Sequence, residues 1–135
     1  MNEKILIVED SPQNLRLLAM TLRAKSYTLL TAADGEEALA TAVREHPDLI
    51  IMDMQLPKKN GFEVTRRLRQ IPGFSKVTII ALTAYAMKGD REKCLEAGCD
   101  TYVSKPINTR EFPGVIAGLL LDRRGEKNAQ ENPDS

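Results

Sequence analysis

Five short apolar runs punctuate the chain, at Lys4 to Val8, Tyr27 to Ala32, Asp48 to Met52, Thr78 to Leu82 and Thr101 to Ser104. Longer segments of helical period separate them. Strand-length runs alternating with amphipathic stretches are the sign of parallel βαβ units, so the pattern predicts a doubly wound α/β fold with five parallel strands and helices on both faces. Ile5-Leu6-Ile7-Val8, Leu49-Ile50-Ile51-Met52 and Ile79-Ile80-Ala81-Leu82 are apolar throughout, as central strands covered on both faces must be. Tyr27 to Ala32 is mixed and suits an edge. Between the strands, Leu15, Leu18, Ala19 and Leu22 form one stripe, Ala38, Leu39, Ala42 and Val43 a second, and Phe62, Val64 and Leu68 a third, each predicted to pack on the sheet.

Local signals set the boundaries. Ser11-Pro12 offers a cap with proline just inside a helix, Asp34-Gly35 turns the chain, and Pro47 ends the second helix. A last helix is predicted over Thr109 to Leu121, capped by Asn108 or Thr109, with an irregular first turn accommodating Pro113 and Gly114. From Arg123 onward the sequence RRGEKNAQENPDS has no apolar anchor. The reading is therefore one domain over 1–122 and a polar, disordered tail over 123–135.

At 135 residues a single domain buries roughly two-thirds of its unfolded surface and needs no staple. Nineteen basic and nineteen acidic side chains cancel, so no global field attracts nucleic acid or an anionic membrane. Cys94 and Cys99 match neither a redox pair nor a zinc knuckle and read as reduced thiols of a cytoplasmic protein. The N-terminal apolar run stops after four residues, and nowhere do eighteen apolar residues follow one another, so neither a signal peptide nor a membrane span is expected.

The candidate chemistry sits where the strands end. Glu9-Asp10 follows ILIV, Asp53 follows LIIM, Thr83 follows TIIAL and Lys105 follows TYVS. In open parallel sheets ligands bind outside the carboxyl ends of the strands. Adjacent Glu9 and Asp10 can approach one ion only where the strand breaks into loop, which Ser11-Pro12 supplies. Alone, that pair reads first as helix-cap and surface charge. Asp53 shifts the balance, because a third carboxylate beside two others requires a cation or a proton. Magnesium suits an all-oxygen set, and Lys105 ahead of Pro106 adds a fixed positive charge, aimed inward if that peptide is cis.

On ILIVEDS, DLIIMDMQLPKKNGFEV, ALTAYA and EAGCDTYVSKPI, in that order and spacing, the chain resembles the receiver domains of two-component response regulators. Single-domain cell-cycle-type regulators and receivers of hybrid histidine kinases are especially similar. The resemblance spans Lys4 to about Leu121 and implies a flavodoxin-like sheet of order 2-1-3-4-5. It implies Asp53 as phosphoacceptor, and Glu9, Asp10, Asp53 and the Gln55 carbonyl as ligands of Mg2+, with Mn2+ as a substitute. Lys105 pairs with the phosphoryl oxygens, while the Thr83 hydroxyl and the Ala84 N–H contact them. Thr83 and Tyr102 form the switch, although Tyr102 reads from propensity alone as a half-exposed strand aromatic. Gln55 and Tyr85 occupy the variable positions that tune phosphate lifetime. Leu56 replaces a common methionine at little cost in volume, and Lys58-Lys59 reads as a solvated loop.

The implied partners are a histidine kinase or histidine phosphotransfer protein and a downstream protein target, met on the face of Lys88 to Ala97, Thr101 to Ser104 and Arg110 to Leu121. The implied protein is a monomer or a weak phosphorylation-dependent dimer, and no enzyme beyond its own phosphorylation and dephosphorylation. A receiver excised from a hybrid histidine kinase, acting as a phosphorelay intermediate, is the alternative. Two other classes fit less well. An aspartyl-phosphate hydrolase of the haloacid dehalogenase type needs a second aspartate where Gln55 stands, and a flavin-binding module needs a glycine- or hydroxyl-rich loop where EDSPQN stands.

Overall fold

The computed structural model describes residues 3–23, 26–56, 60–84 and 88–131, without the side chains at 88, 90 and 123–131. Tyr85, Lys58 and Lys59 lie outside the described residues, as does the end of the expected tail at 132–135. The elements run β1 (Lys4–Val8), α1 (Pro12–Leu22), β2 (Thr28–Ala32), α2 (Gly35–Glu45), β3 (Leu49–Asp53), α3 (Gly61–Gln70), β4 (Thr78–Thr83), α4 (Lys88–Ala97), β5 (Thr101–Ser104) and α5 (Phe112–Glu131). All strand pairs are parallel and the sheet order is β2-β1-β3-β4-β5, so the fold is the flavodoxin-like (βα)5 sheet that the alternation and the resemblance predict. Strand order reverses between β1 and β3, which makes their carboxyl ends the crevice of the sheet.

Alternation within each strand divides the core. Leu6, Val8, Ile50, Met52, Ile79 and Ala81 pack with α2, α3 and α4 through Ala38, Ala42, Val64, Leu68 and Cys94. Ile5, Ile7, Leu49, Ile51, Ile80 and Leu82 pack with α1 and α5 through Leu18, Leu22, Phe112 and Ile116. β1, β3 and β4 are buried on both faces, whereas β2 at the edge is mostly half-buried.

The caps have the expected chemistry. The Ser11 hydroxyl accepts from the Asn14 N–H with Pro12 inside the first turn, and Asp34 accepts from the Glu37 N–H. Several boundaries differ from expectation. β3 and β4 include Asp53 and Thr83 as their last residues, because both positions still pair with their neighbours. Helix α2 does end ahead of Pro47, which bars the helical region to the residue before it: Glu45 is its last residue and His46 takes the left-handed region (φ 48°). Helix α5 begins at Phe112 after a turn in which Asn108 Oδ1 accepts from the Arg110 and Glu111 N–H groups, and it continues past Leu121 to Glu131. One stripe residue also differs. Val43 is 49% exposed, since α2 buries Ala38, Thr41 and Ala42 and Val43 lies one step around the helix.

No helix among the described residues is long and apolar enough to cross a membrane. Cys94 and Cys99 are buried and not joined in a disulfide, and burial above all pushes the Cys99 thiol up to about 12.

Candidate functional site

β1, β3 and β4 deliver Glu9, Asp53 and Thr83 to one end of the sheet because each strand stops at the same level, with Val8 opposite Met52 and Asp53 opposite Leu82. Glu9 and Asp53 are both 2% exposed, and Asp10 beside them is exposed. One carboxylate oxygen from each of the three lies within 4.8 Å of the others. The break after Val8 is what allows consecutive Glu9 and Asp10 to reach the same point.

Lys105 answers this charge from the next strand. Its Nζ stands 3.1 Å from Asp53 Oδ2 and 3.3 Å from Glu9 Oε2. The Lys105 N–H donates to the Thr83 carbonyl at 2.8 Å, so the backbone fixes where the side chain starts. The Lys105-Pro106 peptide is cis. The remaining oxygens take backbone donors: Glu9 Oε1 accepts from the Ser11 N–H at 3.2 Å, and Asp53 Oδ1 from the Gln55 N–H at 3.0 Å.

The charges do not balance, since three carboxylates face one ammonium. Burial first, and the Asp53 charge second, raise the Glu9 pKa, against the Ser11 N–H and Lys105, which lower it. For Lys105 burial works the other way, but the hydrogen bond and charge of Asp53, followed by Glu9, prevail and its pKa is raised. Glu9 Oε2 is buried without an aligned hydrogen-bond partner among the described residues, the ammonium 3.3 Å away being an ion-pair neighbour outside hydrogen-bond geometry. A buried carboxylate oxygen left this way is costly, and either a proton or a hard divalent cation would satisfy it. The donor set is all oxygen, so the residues present fit Mg2+ and not a thiolate or imidazole metal.

The other expected residues fall around this centre. Thr83 is 3% exposed on the β4 face shared with Ala81, while Ala84 and Gln55 are exposed beside the site. Tyr102 sits two residues back along β5, half-buried, opposite Ala81. A pocket of about 320 Å3 opens between Asn14, Leu17 and Leu18 of α1 and the Pro106-Ile107 turn, and Glu9 and Lys105 contribute to its wall.

Gly61 is a residue that the sequence reading did not single out. A Cβ on it would come 2.6 Å from the Asp53 carbonyl oxygen and 2.7 Å from Met54 Cα, so only glycine lets α3 close against the backbone that carries Asp53. The Asn60-Gly61 pair, with Asn60 capping α3, was the available signal.

Known proteins give the same picture. The family model for the response regulator receiver domain matches residues 5–117. The polar-differentiation response regulator DivK of Brucella ovis is 41% identical over 122 residues, covering 90% of this chain and 99% of the relative. A putative response regulator from Chloroflexus aurantiacus superposes with a TM-score of 0.85 at 31% identity, covering 90% of this chain and 99% of that one. The receiver domain of a sensor histidine kinase from Pseudomonas aeruginosa PAO1, solved with a magnesium ion coordinated in its active site cleft, superposes with a TM-score of 0.82 at 38% identity, covering 89% and 98%. On sequence and fold alike, the chain belongs to the response regulator receiver domains of two-component signalling.

Proposed function

We propose that Asp53 accepts a phosphoryl group from a phosphohistidine of a histidine kinase or histidine phosphotransfer protein, and that the charge so placed switches a surface for a downstream protein. The observation that carries this reading is the buried Asp53 carboxylate held between two acidic neighbours and a single ammonium. An Asp53 carboxylate oxygen attacks phosphorus, the new O–P bond forms as the P–N bond of the phosphohistidine breaks, and the imidazole leaves. Phosphoryl transfer of this kind asks the protein for positioning and charge neutralisation.

Each residue has a role within that step. Lys105 moves its ion pair from the Asp53 oxygen to the phosphoryl oxygens, keeping the charge near-balanced throughout. Glu9, Asp10, Asp53 and the Gln55 carbonyl would hold Mg2+, with Mn2+ as a substitute, and the bound ion would neutralise charge on the transferring group. The Thr83 hydroxyl and the Ala84 N–H donate to the phosphoryl oxygens, and Tyr102 turns toward the place the Thr83 side chain vacates. Gln55 and Tyr85 set how readily water reaches the acyl phosphate. The apolar pocket beside Glu9 and Lys105 gives a donor protein a wall to rest on while its histidine approaches Asp53.

The readout surface on this account is α4-β5-α5. The protein catalyses only its own phosphorylation and dephosphorylation, works in the cytoplasm, makes no direct contact with nucleic acid or membrane, and is a monomer or a weak phosphorylation-dependent dimer. Residues 1–122 are the receiver body and 123–135 a polar tail. A response regulator is favoured over a phosphorelay intermediate of a hybrid kinase, because the curated relatives matched over 99% of their length are response regulators by name. Incubation with Mg2+ and a small phosphodonor, followed by peptide mass mapping, tests the central step. One phosphoryl group on Asp53 is expected, and equal labelling of Asp53→Asn would refute the assignment.

A further inference from the structure

The ring of Tyr102 has a partner that the phosphoryl chemistry does not use. The guanidinium carbon of Arg91, on the first half of α4, lies 5.3 Å from the centroid of that ring. We infer that Arg91 is a positioning residue that latches Tyr102 in its half-exposed orientation and so biases the switch toward the unphosphorylated state. The inference rests on the reading of Tyr102 as a switch residue and adds the group that opposes its movement.

Three observations support the latch. First, the residues at helical spacing from Arg91 offer it no carboxylate: Met87 and Lys88 precede it by four and three, and Cys94 and Leu95 follow by three and four. An acidic side chain at those positions could compete for an exposed arginine; with none there, the aromatic face is left to supply the attraction. Second, the anchorage is rigid at both ends. Cys94, one turn on, is fully buried against the sheet, and α4 closes on a Schellman turn in which the Cys99 N–H donates to the Cys94 carbonyl and Gly98 takes φ +115°. Tyr102 is held in register opposite Ala81. Third, the ring has a second place to go. Ala81 directly opposite is small, and Thr83 lies on the same face of β4, diagonal to Tyr102 and within the reach of an aromatic side chain. A ring that turns toward Thr83 leaves the guanidinium behind.

An exposed cation–π contact shifts a two-state equilibrium by roughly two- to fivefold. The latch therefore tunes the resting population without blocking the switch. The Arg91 side chain is exposed, so replacing it does not disturb the core.

The test is NMR of the Tyr102 ring, isotopically labelled in the full chain, before and after phosphorylation of Asp53. In the unphosphorylated protein, Arg91→Met keeps the stem and removes the charge, and is expected to raise the turned-in population roughly two- to fivefold; Arg91→Lys should fall between it and the wild type. With Tyr102→Leu in the background, Arg91→Met should have no effect on the Asp53 phosphorylation level, whereas alone it should raise it. If the wild-type ring moves on phosphorylation but Arg91→Met leaves the resting ring signal unchanged, the latch is wrong and the switch survives. A ring that ignores phosphorylation in every variant overturns the switch reading, and the latch with it.

Discussion

The two ends of the sheet solve the same problem in opposite ways. At the amino end, charges meet partners in matching number. Arg69 of α3 donates from Nε to the Gly98 carbonyl at 2.9 Å, from Nη1 to the Phe74, Ser75 and Val77 carbonyls, and from Nη2 to Asp100 Oδ2 at 3.0 Å. Asp100 Oδ2 in turn accepts from the Ile79 N–H at 2.8 Å. Asp48 Oδ2 accepts from the Lys4 N–H, and Lys4 Nζ donates to the Glu45 carbonyl. At the carboxyl end, three carboxylates crowd together, one lysine pairs with only two of them, and among the described residues a buried Glu9 oxygen has no aligned donor. Matched charge ties elements together. Unmatched charge, held in place by the rest of the fold, stores affinity for a cation and for a group that rearranges the pairing.

The largest effect is expected where the matched end is broken. Arg69→Ala removes a mostly buried guanidinium that joins α3, the loop before β4 and the end of α4, and leaves Asp100 with only the Ile79 N–H as partner. Urea unfolding should show a loss of about 3 kcal/mol, typical of breaking a buried, hydrogen-bonded charge. A loss below about 1 kcal/mol would mean that this end is ordinary surface.

Gly61→Ala sharpens the contrast from the other side. The added methyl group must push the backbone of Asp53 and Met54, at a cost of about 2 kcal/mol. On the proposed function it should also lower the rate of Asp53 phosphorylation measured at equal folded fraction, because the proposed nucleophile moves. Normal phosphorylation kinetics would show that the close approach of α3 is structural only.

Glu9→Gln is expected to act against intuition. It removes one of the crowded charges, so the metal-free protein should gain about 1 kcal/mol while its Mg2+ affinity falls. The pH dependence follows from the raised Glu9 pKa: the folded state holds this proton more tightly than the unfolded state, so the stability contribution is full below pH 4.5 and is lost as pH rises through the folded-state value. Unfolding across that interval should show the slope in the wild type and a flatter curve in Glu9→Gln. Arg67→Ala sits at the small end. Its 3.8 Å contact with Glu63 is exposed on α3, and about 0.3 kcal/mol is expected in the same assay.

Much of the carboxyl end was legible in the sequence, and little of the amino end was. Three strands apolar on both faces fix the central sheet, and once Asp53 and Thr83 close two of them and Glu9-Asp10 follows a third, their meeting is a consequence of parallel register. Arg69 was hidden because TRRLRQ reads as a basic helix face. Its acceptors Gly98 and Asp100 are distant in sequence and become neighbours only after α4 and β5 fold. Arg91 and Tyr102 are distant in the same sense. Gly61 was hidden because a close backbone approach has no periodicity. Val43 was misplaced for a simpler reason: Thr41, a polar residue, occupies the inward position that an apolar pattern assigns to its neighbour.

The most direct test of the central claim is the change in unfolding free energy on adding Mg2+ at neutral pH, measured for the wild type, Arg69→Ala, Glu9→Gln and Asp53→Asn. A cation bound only by the folded state stabilises it by mass action. The account predicts the same Mg2+ increment in the wild type and in Arg69→Ala, whose lesion lies at the matched end, and a smaller one in both carboxylate variants. An equal increment in all four proteins, or none in the wild type, would contradict it.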